Sequence, residues 1–148
     1  MPSASPSRSA SPPRATDVQV RRAARHDLPG LAVLLDQLGY PADPERLERR
    51  LERLDSDLYV AADGELLGLA ALQVMHVLQH DAPSARLTAL VVREDARGRG
   101  VARALVAAVE AAAREAGCER LHVTTANHRA AYRALGFEDT GRRFAKRL

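Results

Sequence analysis

Residues 91–117 read VVREDARGRGVARALVAAVEAAAREAG and join an apolar, strand-like run to an alanine-rich, helix-like run. Between the two runs, residues 97–102 form a turn, RGRGVA, that holds two glycines and two arginines. The glycines allow the backbone to turn tightly and expose its N–H groups, and the start of the following helix adds a partial positive charge. The stretch therefore predicts an anion site, in which a pyrophosphate would be held largely by backbone groups.

The sequence after this turn predicts a βαβ unit. The apolar residues of the predicted helix 101–116 fall on one face, and Gly117 ends the helix. Residues 121–125, LHVTT, follow as a second strand. The two strands are therefore expected to be parallel and joined by a right-handed crossover.

The remaining sequence predicts a mixed sheet with helices on its faces. Asp63-Gly64 separates two apolar runs, which is the strongest short signal for an antiparallel hairpin. Alternating and helical hydrophobic periods define the other elements. The predicted strands are residues 18–21, 58–62, 66–76 and 87–92; the further helices are residues 28–38, with Asp27 as N-cap, 44–54 and 129–134; two brief segments follow Phe137. The fold class is therefore α/β of the α+β type, with a mixed, mostly antiparallel sheet and flanking helices.

The length and composition fit one domain preceded by a short tail. The chain has 148 residues, of which 46% are apolar, and this is enough for a single domain with a substantial core. Residues 1–16, MPSASPSRSASPPRAT, have almost nothing to bury. We therefore expect a disordered tail over residues 1–16 and a folded domain over residues 17–148.

The charge balance gives little support to nucleic-acid binding. Arg8 and Arg14 of the tail carry two of the three net positive charges, and the chain has no Trp and only two Phe and three Tyr for base stacking. The single cysteine, Cys118, predicts a small buried residue in a reducing compartment. No apolar stretch is long enough to span a bilayer. We therefore expect a cytoplasmic protein that binds neither nucleic acid nor membrane.

Other classes of glycine-rich phosphate site fit the turn poorly. A dinucleotide fingerprint needs a third glycine and normally follows the first strand of a sheet. A P-loop needs Gly-Lys-Ser/Thr, but the single lysine of the chain is Lys146. Arginine-glycine segments that bind RNA lie in disordered regions, whereas this turn occurs once between regular elements. These three classes are therefore disfavoured.

The turn resembles the cofactor-binding motif of the GNAT superfamily of acyl-CoA N-acyltransferases. That motif runs Arg/Gln-x-x-Gly-x-Gly/Ala, and Arg97, Gly100 and Ala102 meet it. The resemblance extends over residues 18–148. Local matches are HDLP at 26–29, LGY at 38–40, DG at 63–64 and ALGFE at 134–138. It implies a single GNAT-like domain in which acetyl-CoA, the acyl donor, lies between two splayed parallel strands, without a metal.

The resemblance also implies which residues hold the cofactor. The pyrophosphate would lie on the turn and helix start, which comprise Arg97, Gly98, Arg99, Gly100, Val101, Ala102 and Arg103. Backbone groups of Leu90, Val91 and Val92 would contact the pantetheine arm and the thioester carbonyl, and Asn127 matches an asparagine near the same arm. An N–H aimed at that carbonyl oxygen stabilises the negative charge that develops there during transfer.

Acyl transfer also requires a neutral amine and a proton donor for the departing thiolate. By the resemblance, Tyr132 is the acid, although the stretch from Asn127 to Tyr132 is shorter than in relatives by about one helical turn. Residues 86–92 contain no carboxylate that could act as the base. A water relay is therefore the expected route, and the candidate bases within reach are His76, His80, Asp81 and His122.

We therefore expect an acetyl-CoA-dependent N-acetyltransferase that modifies a primary amine of a small molecule or a protein. Two alternatives stay open: a CoA-binding or partner-docking module of the same fold with weakened catalysis, and nucleic-acid binding through the tail and the turn. An aminoglycoside acceptor would favour clustered carboxylates, whereas those of residues 44–54 alternate with arginines. Family members often dimerise, and the sequence leaves a homodimer open.

Overall fold

The computed structural model describes residues 18–125, 129–141 and 145–148. These residues form a five-stranded sheet with helices on its two faces. The strands are β1 (Gln19–Arg22), β2 (Asp57–Asp63), β3 (Glu65–Met75), β4 (Ser84–Val92) and β5 (Leu121–Val123); the α-helices are α1 (Leu28–Gln37), α2 (Pro44–Glu52), α3 (Val101–Glu115) and α4 (Arg129–Ala134). Short 3-10 turns at Arg25–Asp27 and Glu94–Ala96 precede α1 and follow β4.

The strands lie in chain order in the sheet, and every pair is antiparallel except β4 with β5. The hairpin between β2 and β3 turns at Gly64, whose φ of 76° is favourable for glycine. Helix α3 connects the two parallel strands. The predicted mixed, mostly antiparallel sheet with flanking helices is therefore confirmed.

One extra residue in β4 divides the strand into two parts. Thr88 has no opposite residue on β3, because the pairing passes from Ala71 opposite Ala89 to Leu72 opposite Leu87. Strand β5 pairs with β4 only before this bulge. After it, β4 keeps an edge that has no strand partner among the described residues. The two parallel strands thus pair at one end only, as expected for a splayed pair.

Each face of the sheet is covered by its own apolar cluster. On one face α3 buries Leu105 and Val109, and on the other α1 and α2 bury Leu31, Leu34 and Leu47. Full burial of an aliphatic side chain of this size contributes about 1.5–3 kcal/mol. The two layers therefore hold the sheet from both sides and fix the end of β4 relative to α3.

Gly68 on β3 allows α3 to lie close to the sheet. A Cβ atom at this position would be 2.7 Å from the carbonyl oxygen of Val91 and 3.0 and 3.1 Å from the side chains of Leu105 and Val101. Because the nearest atom belongs to the backbone, a side chain would have to move the strand or the helix. Gly68 therefore helps to place the first turn of α3 over the end of β4.

Asp27 has a different role from the predicted one. It occupies the N-cap position of α1, but its side chain makes no capping hydrogen bond. Instead the buried carboxylate accepts two hydrogen bonds from Arg21, at 2.7 and 2.8 Å, and one from the Ala24 N–H at 2.7 Å. The predicted N-cap position of Asp27 is therefore confirmed, but its carboxylate bonds to Arg21 and to the Ala24 N–H instead of capping α1.

Several predicted boundaries also differ from the structure. Helix α2 ends at Glu52 rather than Leu54, and β4 begins at Ser84 rather than Leu87. The first part of β4 contains the polar residues Ser84 and Arg86, so it does not form a continuous apolar run. The brief segments predicted after Phe137 form neither helix nor strand within residues 138–141 and 145–148. The predicted tail, residues 1–16, lies outside the described residues.

Candidate active site

The glycine turn ends in a helix start that no side chain caps. Gly98 and Gly100 have φ values of 80° and 78°, and Gly100 is the N-cap residue of α3. The first turn of α3 contains no acidic residue, and the first intrahelical bond runs from the Ala104 N–H to the Gly100 carbonyl at 3.0 Å. The N–H groups of Val101, Ala102 and Arg103 therefore precede the helical ladder and face the turn, where they can bind an anion.

Arg93 fixes the beginning of the turn and was missed by the sequence analysis. Its backbone N–H donates to Leu67 at 2.7 Å, and its guanidinium binds Asp95 at 2.5 Å and Glu65 at 2.9 Å. These two carboxylates raise the pKa of Arg93, Asp95 contributing most. The sequence could not show that Arg93 connects the end of β4 with the start of β3, because Glu65 is far from it along the chain.

A second anchor connects the turn with α1. The side-chain oxygen of Gln37, the last residue of α1, accepts a hydrogen bond from the Glu94 N–H at 3.1 Å. Glu94 opens the 3-10 turn that follows β4. The end of β4 is thus held by Arg93 toward β3 and by Glu94 toward α1.

Arg99 carries an unmet hydrogen-bond donor. Its Nε is buried and has no hydrogen-bond partner within the described ranges, and its terminal nitrogen is 3.8 Å from Asp63. Buried donors in folded proteins are normally paired, so this nitrogen indicates an acceptor that the described residues do not provide. Arg97, by contrast, is exposed and has neither an ion pair nor a hydrogen bond in the part of the chain that is described.

The end of β4 presents backbone groups next to the turn. Because Arg93 bonds back to Leu67, alternation along the antiparallel ladder directs the N–H and C=O of Val91 toward β3. The same alternation directs those of Leu90 and Val92 toward the free edge. Val91 is also buried by its side chain at 4% exposure. Of the three predicted strand residues, Leu90 and Val92 therefore direct their backbone N–H and C=O groups into the gap between the splayed strands.

Tyr132 is half-buried on α4 and packs beside Phe137. The two rings meet edge to face, with centroids 5.6 Å apart, and both contact the apolar cluster under α3. Burial raises the pKa of the Tyr132 hydroxyl above its ordinary value of 10.0, which keeps it protonated at neutral pH. A guanidinium nitrogen of Arg103 donates to the Ala134 carbonyl at 3.3 Å, so the helix start and the helix of Tyr132 are directly connected.

A cavity of about 420 Å³ between β5 and α4 brings Tyr132 and His122 together. His76 and His80 lie exposed on the connection from β3 to β4, as does Asp81, and none of them lines this cavity. His122 is thus the one candidate base that shares a cavity with the candidate acid. Asn127 lies outside the described residues.

The residues present fit a CoA-type cofactor. The uncapped helix start and the unmet Arg99 Nε suit a pyrophosphate, and the free edge of β4 suits the amide groups of a pantetheine arm. Cys118 is buried, and burial raises the pKa of its thiol, as expected for a structural cysteine. Within the described residues, no group of three His, Cys, Asp or Glu is arranged to hold a metal. Nor does any helix among them have the length and apolarity to cross a membrane.

Comparison with known proteins identifies the relatives of this fold. Residues 25–137 match the model of the acetyltransferase (GNAT) family. The chain is 37% identical over 110 residues to the aminoglycoside N(6')-acetyltransferase type 1 of Stenotrophomonas maltophilia, an alignment that covers 68% of this chain and 72% of that protein.

Solved structures agree with this assignment at the level of the fold. A GNAT family acetyltransferase of Staphylococcus aureus superposes with a TM-score of 0.77 at 24% identity, covering 88% of this chain and 98% of the other. A Bacillus halodurans protein named as a transcriptional regulator superposes with a TM-score of 0.79 at 22% identity, covering 88% and 99%. The family model and the Stenotrophomonas maltophilia relative support an N-acetyltransferase. The chain belongs to the acetyltransferase (GNAT) family.

Proposed function

We propose that this protein transfers the acetyl group of acetyl-CoA to a primary amine of a small molecule or a protein. The observation that carries the proposal is the uncapped start of α3, with the unmet Nε of Arg99, next to the free edge of β4. An anion and an extended amide chain would fit these two features at the same time. The GNAT family generally uses this cofactor, which supports the same choice.

The turn and the strand have separate binding roles in this proposal. The N–H groups of residues 98–103 hold the pyrophosphate, and the guanidinium groups of Arg97 and Arg99 add charge-assisted hydrogen bonds. The outward backbone groups of Leu90 and Val92 hold the pantetheine arm. Val91, whose backbone groups turn toward β3, contributes packing instead.

Bound acetyl-CoA supplies an acetyl thioester, so a C–N bond forms to the amine while the C–S bond breaks. The N–H of Leu90 stabilises the negative charge that develops on the carbonyl oxygen. Tyr132 gives its proton to the departing sulfur, and its raised pKa keeps that proton available at neutral pH. The proton of the amine passes to water or to His122, which lines the same cavity as Tyr132.

Release of CoA thiol from acetyl-CoA, measured with a panel of primary amines, tests this function. We expect release that depends on both the protein and the amine, with an N-acetylated product detected by mass. Acetyl-CoA binding without release for any amine would instead support the CoA-binding module with weakened catalysis. That alternative is favoured by the short stretch before Tyr132.

The acceptor and the cellular setting are further parts of the proposal. The Stenotrophomonas maltophilia relative is named for aminoglycosides, so one such antibiotic belongs in the panel. A cytoplasmic location agrees with the single, buried and unpaired Cys118. Sedimentation of the full chain tests the homodimer that the sequence leaves open.

A further inference from the structure

The face of the sheet opposite α3 carries an exposed arginine, Arg86, where β4 and β5 still pair. The neighbours of Arg86 on β4 and of His122 on β5 pack into the apolar cluster under α3, so these two side chains point to the opposite face. The parallel register places them side by side. Both are exposed, and neither makes an ion pair or a hydrogen bond in the described part of the chain.

Arg86 lines the same cavity as the candidate acid. The cavity of about 420 Å³ is bounded by Arg86 and His122 on the sheet and by Tyr132 on α4. Its volume lies in the range that holds small molecules. A small acceptor whose amine lies near Tyr132 would therefore bring its other end within reach of Arg86.

The other charges around this cavity leave a positive excess. Asp139 is already bound by Arg129 at 2.6 Å and lies 3.8 Å from Arg133. Glu138 is then the only lining carboxylate without an ion pair among the described residues, and its side chain is exposed. Arg86 is thus a cation without an ion pair or hydrogen bond among the described residues, and it lines the same cavity as Tyr132.

We propose that Arg86 binds an acidic group of the acceptor, so that the substrate is a primary amine that also carries a carboxylate or a phosphate. This inference rests on the proposed function. The planar guanidinium can donate two parallel hydrogen bonds to either anion. A polycationic acceptor without an acidic group has no such acceptor for them. An aminoglycoside would instead place like charges against Arg86, which disfavours binding.

Matched acceptor pairs that differ in one acidic group test the inference on the full chain. Lysine is compared with 1,5-diaminopentane, which lacks the carboxylate, and glucosamine 6-phosphate is compared with glucosamine. Tobramycin serves as the polycationic acceptor. We expect kcat/KM to be higher for the acidic member of at least one pair than for its partner and for tobramycin. The pair that shows the preference identifies carboxylate or phosphate as the recognised group.

The variant Arg86→Gln removes the charge and keeps a polar side chain of similar length. We expect KM for the preferred acidic acceptor to rise about 10- to 100-fold, with little change in kcat or in the use of the uncharged partner. Arg50→Gln, on the exposed side of α2, is the matched control and should leave all values unchanged. A merely structural role of Arg86 would lower kcat with every acceptor alike.

Calorimetry with acetyl-CoA distinguishes a failure of the proposed function from a failure of the proposed role of Arg86. Absence of binding would overturn the proposed function itself. Binding with better use of the diamine, glucosamine and tobramycin, or with no use of either acidic acceptor, would overturn the role of Arg86 and leave the proposed function standing. An equal loss for both members of a pair in Arg86→Gln would also overturn it.

Discussion

Arg99 is more buried than the nearby Arg97, which is exposed. Its Nε is buried without an acceptor among the described residues, and its ion pair with Asp63 is long at 3.8 Å. In Arg99→Ala we expect the affinity for acetyl-CoA to fall about 10-fold, because a charge-assisted hydrogen bond to the pyrophosphate is lost. Titration calorimetry measures this, with Arg50→Ala as the control. An unchanged affinity would remove Arg99 from the binding site.

Tyr132 can be tested without disturbing its packing. Phenylalanine keeps the ring that meets Phe137 and removes only the hydroxyl. In Tyr132→Phe we expect kcat to fall about 100-fold while KM for acetyl-CoA changes little, because a positioned acid acts on the chemical step. Steady-state kinetics measures both, and Tyr59→Phe on β2 is the control. An unchanged kcat would reduce Tyr132 to a packing residue.

The raised pKa of Tyr132 also sets a direction for the pH profile. The hydroxyl donates a proton only in its neutral form, and burial moves its ionisation above 10.0. We therefore expect no loss of kcat through Tyr132 ionisation until the pH exceeds 10.

Asp27 affects stability rather than catalysis. Its bonds to Arg21 lower its pKa from 3.8 to about 2. A depressed pKa means that the carboxylate stabilises the fold above pH 3.8 and that this contribution is lost as the pH falls toward 2. We expect Asp27→Asn to cost about 1–2 kcal/mol at pH 7, since Arg21 is partly exposed, and much less at pH 2.

Urea denaturation at pH 7 and pH 2 measures both values. Asp57→Asn is the matched control, because Asp57 pairs with Arg22 at 2.9 Å but both side chains are well exposed. A surface pair of this kind contributes about 0–1 kcal/mol. Equal losses in the two variants at pH 7 would contradict the special role of the buried carboxylate.

At the scale of elements, the approach of α3 to the sheet depends on Gly68. A methyl group at this position meets the Val91 carbonyl oxygen, so we expect Gly68→Ala to cost about 1–3 kcal/mol and to weaken cofactor binding by moving the helix start. Thermal unfolding and calorimetry measure the two effects. In the control Gly30→Ala on α1, the three atoms nearest to the new methyl belong to the Leu66 side chain rather than to the backbone. Equal losses of stability in the two variants would contradict the special role of Gly68.

The sequence predicted those elements whose signals are local. The hairpin at Asp63-Gly64, the end of α1 before Gly39 and the extent of α4 follow from turn residues and helical periods, and the structure confirms them. The bulge at Thr88 could not be predicted. It depends on how β4 pairs with β3, and the Thr88 hydroxyl donates to the Ala71 carbonyl at 3.3 Å, far away in the sequence.

At the scale of the whole molecule, the fold brings distant segments to the end of one strand. The turn follows β4, α3 begins over Gly68, and Arg103 connects that helix start to the helix of Tyr132. The resemblance indicated the turn and Tyr132 as parts of one site. It could not show that Arg93 is an anchor or that Arg86 has no ion pair among the described residues, because such contacts are properties of the folded chain.

The central claim is that the turn at residues 97–102 holds a pyrophosphate. Titration calorimetry of the full chain with acetyl-CoA and with S-acetylpantetheine, which lacks the pyrophosphate and the nucleotide, tests it most directly. We predict that acetyl-CoA binds at least about 100-fold more tightly and that this advantage shrinks as salt is raised. Equal affinities for the two ligands, or no binding of acetyl-CoA at millimolar concentration, would contradict the account.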